Sequence, residues 1–367
     1  MKKRKIRMLP FLCIMLLLFA GCAEQQQPEP TGKQPVSYTA IEGPIELKDD
    51  SALEEPLHEE EETQPDTVVL NFAGDFMIAS FKGLVQPNNF AETALKKGKT
   101  YFLEKVAPIF SEDDYTIVNL ENVLTDDENL LPKEKDHSPA YWYRGPSENT
   151  EILTSSSIEV VSLSNNHTGD YGEKGKSDTI AACEAAGLLY GSNDKTLYLE
   201  KNGIRIALIC CGLWNAQQVY QILPRIKDAE EQSDVQLIYY HGGTERVHQP
   251  ESWRVEASRL LADSGADLVV GNHPHVLQGM ELYNGVPIYY SLGNFLFGGG
   301  WTCENRTIIL TCTLQRNGED AISISTEEIP CYVYGGARNN WQPDIIQDEK
   351  EREKVLSFIH GEEDTPL

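Results

Sequence analysis

The sequence predicts an α/β domain, on three observations. Short apolar, β-rich runs recur from Thr67 onward, helical patterns fall between them, and the runs end repeatedly in Asp, Glu, Asn or His. Alternating strands and helices argue for layered α/β packing. Continuous apolar runs of this length suit strands buried on both faces.

Taken in order, the runs are 67–73 followed by Gly74-Asp75, 115–120 followed by Glu121, and 158–163 followed by Ser164-Asn165-Asn166-His167. Then come 235–240 before His241, 267–270 before Gly271-Asn272-His273-Pro274-His275, and 286–290 before Ser291-Leu292-Gly293-Asn294. Between them, 173–186 reads as a helix stopped by Gly187, a residue suited to the left-handed C-cap. Residues 250–263 place Trp253, Ala257, Leu260 and Leu261 on one apolar helical face. After Arg306, 308–314 and 321–328 read as antiparallel strands and 348–360 as a closing helix. The expected organisation is a leader at 1–21, a tether at 22–66, a main domain at 67–300, and C-terminal elements at 301–367 that complete it.

The N-terminus reads as an export signal. Five Lys or Arg and no acid precede or flank a short apolar stretch from Leu9 to Phe19, and Ala20-Gly21 stand before Cys22. That order resembles the lipobox of bacterial lipoproteins, which implies lipidation of Cys22 and the outer face of the bacterial cell membrane as location; an ordinary signal peptide with an incidental cysteine is the alternative. The Glu-, Gln- and Pro-rich stretch that follows has too little apolar surface to offset ordering entropy. As a flexible tether it would reach about 35–40 Å.

The net charge is −26 over 367 residues. Nucleic-acid binding rests on Lys and Arg neutralising phosphates, so this balance argues against such partners. It also disfavours adsorption to anionic lipid, which leaves a covalent anchor as the expected membrane attachment. Six of the eight cysteines lie beyond Cys22 without C-x-x-C spacing, and Cys210 and Cys211, ending an apolar run, read as buried thiols.

In open α/β sheets ligands bind outside the carboxyl ends of strands. The candidate metal ligands stand at those ends. Each has a structural alternative: an Asx turn for Asp75, a helix cap for Glu121, a satisfied structural histidine at Asn166-His167, and a glycine turn at His241. His273-Pro274-His275 is the sharpest motif. In an extended segment its two imidazoles would point the same way, and proline biases His273 toward extended backbone. Carboxylate, amide and imidazole together suit Mn²⁺, Fe or Zn²⁺, as one ion or two. His167 would be available as a general acid near neutral pH.

These segments, in this order, resemble the CapA family of poly-γ-glutamate capsule synthesis. The segments are Ala73-Gly74-Asp75, Asn119-Leu120-Glu121-Asn122, Ser164-Asn165-Asn166-His167, 241–245, 271–278 and 290–295. The resemblance implies a metallophosphatase-like four-layer αββα sandwich. It makes Asp75, Glu121, Asn166, His241, His273 and His275 metal ligands, His167 the acid or phosphate-binding histidine, and Asn119, Glu245 and Asn294 their supports. Two departures stand out. Met77 occupies a position where metallophosphatases carry histidine, which weakens the first metal site. His241-Gly242-Gly243 replaces the usual His-Trp-Gly, so an aromatic wall of the pocket is expected to be missing. Two functions follow: a metal-dependent envelope hydrolase, or a non-catalytic accessory that binds an anionic polymer or its synthesis machinery. The acidic surface would repel such a polymer unless metal ions or a local basic patch intervene; the small cluster at Lys96, Lys97 and Lys99 reads as a solvated helix end or turn, with such a patch as the alternative.

Overall fold

The computed structural model describes residues 66–367, except 82, 84–86, 137–139, 301 and 319–320. The leader, Cys22 and the acidic tether up to residue 65 lie outside the described residues.

Two sheets face each other. The first orders Asp344–Ile345, Ile322–Tyr332, Thr307–Arg316, Thr67–Met77, Tyr115–Leu120, Val160–Ser162 and Leu189–Gly191, and Asn294–Phe297 pairs with the end of Thr67–Met77. The second orders Leu277–Tyr283, Val286–Leu292, Leu268–Asn272, Val235–His241, Ile204–Gly212 and Leu197–Lys201. In the first sheet the three pairings from Thr67–Met77 through to Leu189–Gly191 are parallel. In the second, Val235–His241 is flanked by parallel neighbours on both sides. Antiparallel strands complete both sheets, so Thr307–Arg316 and Ile322–Tyr332 extend the first sheet rather than form a separate unit.

The two-residue side-chain period sorts the apolar residues into layers. Val68, Leu70 and Phe72 point between the sheets with Ile308, Leu310, Cys312 and Leu314, and meet Leu208, Leu237, Tyr239 and Val270 of the second sheet. The opposite face of the first sheet, including Val118, Val161 and Ile309, packs on helices Phe90–Lys97, Ala107–Phe110, Thr150–Thr154 and Gly172–Ala185. The opposite face of the second, including Ile209, Ile238 and Val269, packs on Val219–Glu230 and Ser252–Asp263. Helix, sheet, sheet, helix is the four-layer αββα order. Each fully buried Leu, Ile or Phe in these clusters contributes roughly 1.5–3 kcal/mol. Val355, Phe358 and Ile359 of the last helix, Glu349–Ile359, join the inter-sheet cluster.

Parallel strands place their carboxyl ends together. Register then aligns residues far apart in sequence: Asp75 lies opposite Asn119 and Asn294, Asn119 opposite Ser162, and His241 opposite Asn272. At Gly74 a Cβ would lie 1.9 Å from the Gly293 carbonyl oxygen, so only glycine lets these backbones approach. Asp75 N–H donates to that carbonyl at 2.9 Å. Register slips on both sides of Asp75, and such bulges re-aim side chains beside sites. Among the described residues, no helix is long and apolar enough to cross a membrane.

Candidate metal centre

The buried Asp75 carboxylate organises the pocket. Its Oδ1 accepts from Asn119 Nδ2 at 2.8 Å and lies 3.4 Å from His241 Nδ1; its Oδ2 accepts from the His273 backbone N–H and lies 3.2 Å from His275 Nδ1. Burial raises its pKa, but hydrogen bonds from His241 and His275 outweigh that and hold it well below the usual carboxylate range. His241 Nε2 meets Asn166 Oδ1 at 2.9 Å, His273 Nδ1 at 3.1 Å and Glu121 Oε1 at 3.4 Å.

Glu121 is the anomaly. Its side chain is fully buried, yet among the described residues neither carboxylate oxygen has a hydrogen-bond partner. His241, His275 and His167 present ring nitrogens to Oε1 at 3.4, 3.6 and 4.0 Å. A buried carboxylate without hydrogen bonds costs several kcal/mol unless a cation compensates it, either the charged His275 ring 3.6 Å away or a metal ion.

The donor atoms form two clusters that share Glu121: Asp75, Glu121 and His275, and Glu121, His241 and His273, with Asn166 Oδ1 beside His241. A third grouping adds the exposed Glu245 to His273 and His275. All six candidate ligands therefore meet in one pocket. Hard carboxylate and amide oxygens with imidazole nitrogens are a donor set for Mn²⁺, Fe²⁺ or Zn²⁺, and a bound cation would satisfy the Glu121 carboxylate. Met77 is buried and borders the adjoining cleft, so the first cluster rests on three donors. The charges respond to this crowding. Burial lowers the His275 pKa, but the negative charge of Glu121 and Asp75 pushes it up to about 10. Burial together with the positive charge of His241 and His275 drives His273 down to about 2.

One expectation needs correction. The His273-Pro274-His275 segment is not extended: the strand ends at Asn272, and His273 and His275 have φ of 97° and 58°. Non-glycine residues in that region cost about 1–3 kcal/mol each. The turn is held by His273 N–H on Asp75 and by Arg246 N–H on the Pro274 carbonyl, 2.8 Å. The rings consequently diverge, 53° apart, with His273 facing His241 and His275 facing Asp75.

The aromatic wall is not missing either. Trp214, at the end of the Ile204–Gly212 strand, packs edge-on to His241 and His273, with ring centroids 5.6 and 5.0 Å away. The two glycines after His241 have a steric reason. A Cβ on Gly242 would sit 1.8 Å from the Leu213 carbonyl oxygen, and one on Gly243 2.1 Å from the guanidinium of Arg254, which is fully buried. A tryptophan cannot occupy position 242 on this backbone, and the neighbouring strand supplies the ring instead.

His167 lies at the pocket edge. Its Nδ1 is 2.8 Å from Asp170 Oδ2, and its ring packs edge-on against Tyr143 at 4.6 Å. Asp170 also accepts from Tyr143 N–H at 2.9 Å and pairs with Lys135 at 2.6 Å. Asn294 holds His275 from behind, Oδ1 to Nδ1 at 2.9 Å. Asn165 donates to Asn119 Oδ1 and to the Leu120 carbonyl, locking the amide that supports Asp75. Sequence reasoning missed Asp170, Asn165, Tyr143, Trp214 and Arg254. Asp170, three residues after His167 in one loop, was within reach of local spacing; Trp214 and Arg254 carry no local signal.

Face-to-face sheets between two helical layers, with carboxylate and imidazole donors gathered at their strand ends, define a four-layer αββα sandwich with a candidate metal site. Comparison with known proteins narrows the class. The chain belongs to the bacterial capsule synthesis protein family PGA_cap, whose model matches residues 69–299. It is 29% identical over 284 residues to the PGA biosynthesis protein CapA of Bacillus subtilis, covering 71% of this chain and 74% of that one. It is likewise 29% identical over 292 residues to the capsule biosynthesis protein CapA of Bacillus anthracis, covering 71% and 68%. A probable polyglutamine synthesis accessory protein of Mycobacterium tuberculosis is 25% identical over 259 residues, covering 60% and 66%.

Proposed function

We propose that this capsule-synthesis protein is exported, lipid-anchored through Cys22, and carries a metal-dependent hydrolase-type site acting on an amide or phosphoester linkage of an anionic envelope polymer. The carrying observation is Glu121: a buried carboxylate without hydrogen bonds, ringed by three histidines, with donor clusters on either side. Asp75, Glu121 and His275 would hold one divalent ion, and Glu121, Asn166, His241 and His273 a second. When bound, such ions supply Lewis acidity and balance the buried acidic charge.

The protein's own groups set the rest. Asp170 accepts the Nδ1 proton of His167, which leaves Nε2 as the nitrogen facing Glu121 and the cleft. With Nδ1–H given to Asp170, the imidazolium form carries its second proton at Nε2, positioned for a leaving group, and Tyr143 packs edge-on against the ring. Trp214 covers His241 and His273 and limits water on that side. The adjoining cleft, about 540 Å³, is lined by Phe81, Tyr141, Tyr143 and Phe297 and reaches both His167 and His275.

The name of the mycobacterial relative supports a second reading, a polymer-handling accessory without turnover. Metal analysis of purified protein, with phosphodiesterase and peptidase assays on wild type and His167→Ala, separates the two. Bound transition metal in both proteins, with hydrolysis lost only in His167→Ala, is the expected result. Absence of metal, or equal rates in both, overturns the enzymatic reading. For the anchor, labelled fatty acid should be incorporated by wild type and not by Cys22→Ser; equal labelling refutes it.

A further inference from the structure

A second cavity, of about 470 Å³, lies where the Phe90–Lys97 helix meets the 338–341 loop. Its lining includes Lys96, Lys97 and Arg338, with the rings of Tyr101 and Trp341, and among the described residues no acidic one. On a chain of net charge −26 this is a marked exception. Four other cavities, of about 280 to 600 Å³, each present at least one Asp or Glu. Of the three lysines clustered in sequence, Lys99 is drawn off to Glu148 and Asn149, while Lys96 and Lys97 remain at the cavity.

The cavity is built, not incidental. Trp341 is buried at its back with φ of 63°, a conformation a bulky residue adopts only under constraint. Asn339 Oδ1 accepts its backbone N–H at 2.8 Å, and its indole donates to the Asn88 carbonyl at 3.1 Å. The same Asn339 donates through Nδ2 to the carbonyls of Phe297 and Gly300. Phe297 and Gly300 also line the histidine cleft, so one amide ties the two cavities. Lys96 bonds Asn88 and Glu92 at the surface, a pair of the exposed kind that an incoming anion readily exchanges. Lys97 lies over the Tyr101 ring, 5.6 Å from its centroid.

We infer that this cavity is an anion subsite that takes carboxylate groups of an acidic polymer chain, apart from the metal centre. Beyond a Debye length of roughly 8 Å the acidic surface is screened, so a polyanion at the cavity senses chiefly Lys96, Lys97 and Arg338, with Glu92, 3.1 Å from Lys96, the nearby acid it displaces. The inference shares with the proposed function only the acidic character of the polymer and requires no metal or turnover.

The test uses the full-length purified protein in EDTA and a fluorescent γ-linked glutamate oligomer of about ten residues. Fluorescence anisotropy should show binding that falls at least tenfold in Lys96→Gln/Lys97→Gln and in Arg338→Gln, and that is unchanged in Lys227→Gln, an exposed lysine on the Val219–Glu230 helix. The side-chain-amidated oligomer should not bind. No binding by wild type, full binding by the lysine variant, or equal binding of the amidated oligomer overturns the subsite. Equal or tighter binding of a polyphosphate of matched charge overturns the carboxylate assignment. Because the assay excludes metal, a failed hydrolase reading leaves its outcome untouched.

Discussion

Replacing Glu121 with Gln tests the metal centre most directly. The substitution keeps the shape of a fully buried side chain and removes its charge, the one shared by both donor clusters. A ligand at a hundred times its Kd stabilises the folded state by about 2.7 kcal/mol. For a domain of roughly 300 residues, with an unfolding entropy of about 0.6 kcal/mol/K, that corresponds to a rise in Tm of about 4 °C. An amide oxygen is a much weaker ligand than a carboxylate. If affinity falls about 100-fold, the same metal concentration stabilises the variant by only ~0.4 kcal/mol, or about 1 °C. Differential scanning fluorimetry of both proteins, in EDTA and in Mn²⁺, Fe²⁺ or Zn²⁺, reads the difference. A wild-type Tm indifferent to all three metals would refute the reasoning, as would an undiminished rise in Glu121→Gln.

Asp170→Asn should keep bound metal while lowering hydrolysis at least about 100-fold, because the amide no longer dictates which His167 nitrogen carries the proton; parallel metal content and rate measurements decide it. Gly242→Ala places a methyl 1.8 Å from the Leu213 carbonyl oxygen, so thermal denaturation should show a loss of about 3 kcal/mol or more. Asp113→Asn should stabilise the protein at pH 7.5 by about 1 kcal/mol, allowing for solvent screening, and leave it nearly unchanged at pH 4. Burial raises the Asp113 carboxyl from 3.8 to about 7, so the unfolded chain ionises first and stability is lost as pH rises between those values. The asparagine oxygen still accepts from Asn71 and Thr116, which keeps the comparison clean in Tm-versus-pH profiles.

The layers were legible because side-chain periodicity is local. The apolar runs at 67–73, 115–120 and 235–240 became largely buried strands with at least one parallel neighbour each, and the 173–186 and 250–263 patterns became helices within one or two residues of those bounds. Polar side chains after each run marked the open end of the sheets, since a buried parallel strand has no other place for them. That alone brought Asp75, Glu121, Asn166, His241, His273 and His275 to one candidate site.

What the sequence determined by itself was therefore the set of elements and the end of the sheet where chemistry collects. The tertiary structure alone decided the contacts: Trp214 beside His241 in place of a ring at position 242, Arg254 behind Gly243, and Lys96 and Lys97 facing Arg338 from 241 or 242 residues away in sequence. It also decided the left-handed backbone of His273 and His275. Periodicity states which way a side chain faces within its own element. Which distant group it meets, and what strain those meetings can sustain, depends on strand order, loop path and close packing, none of which is written in any local stretch of residues.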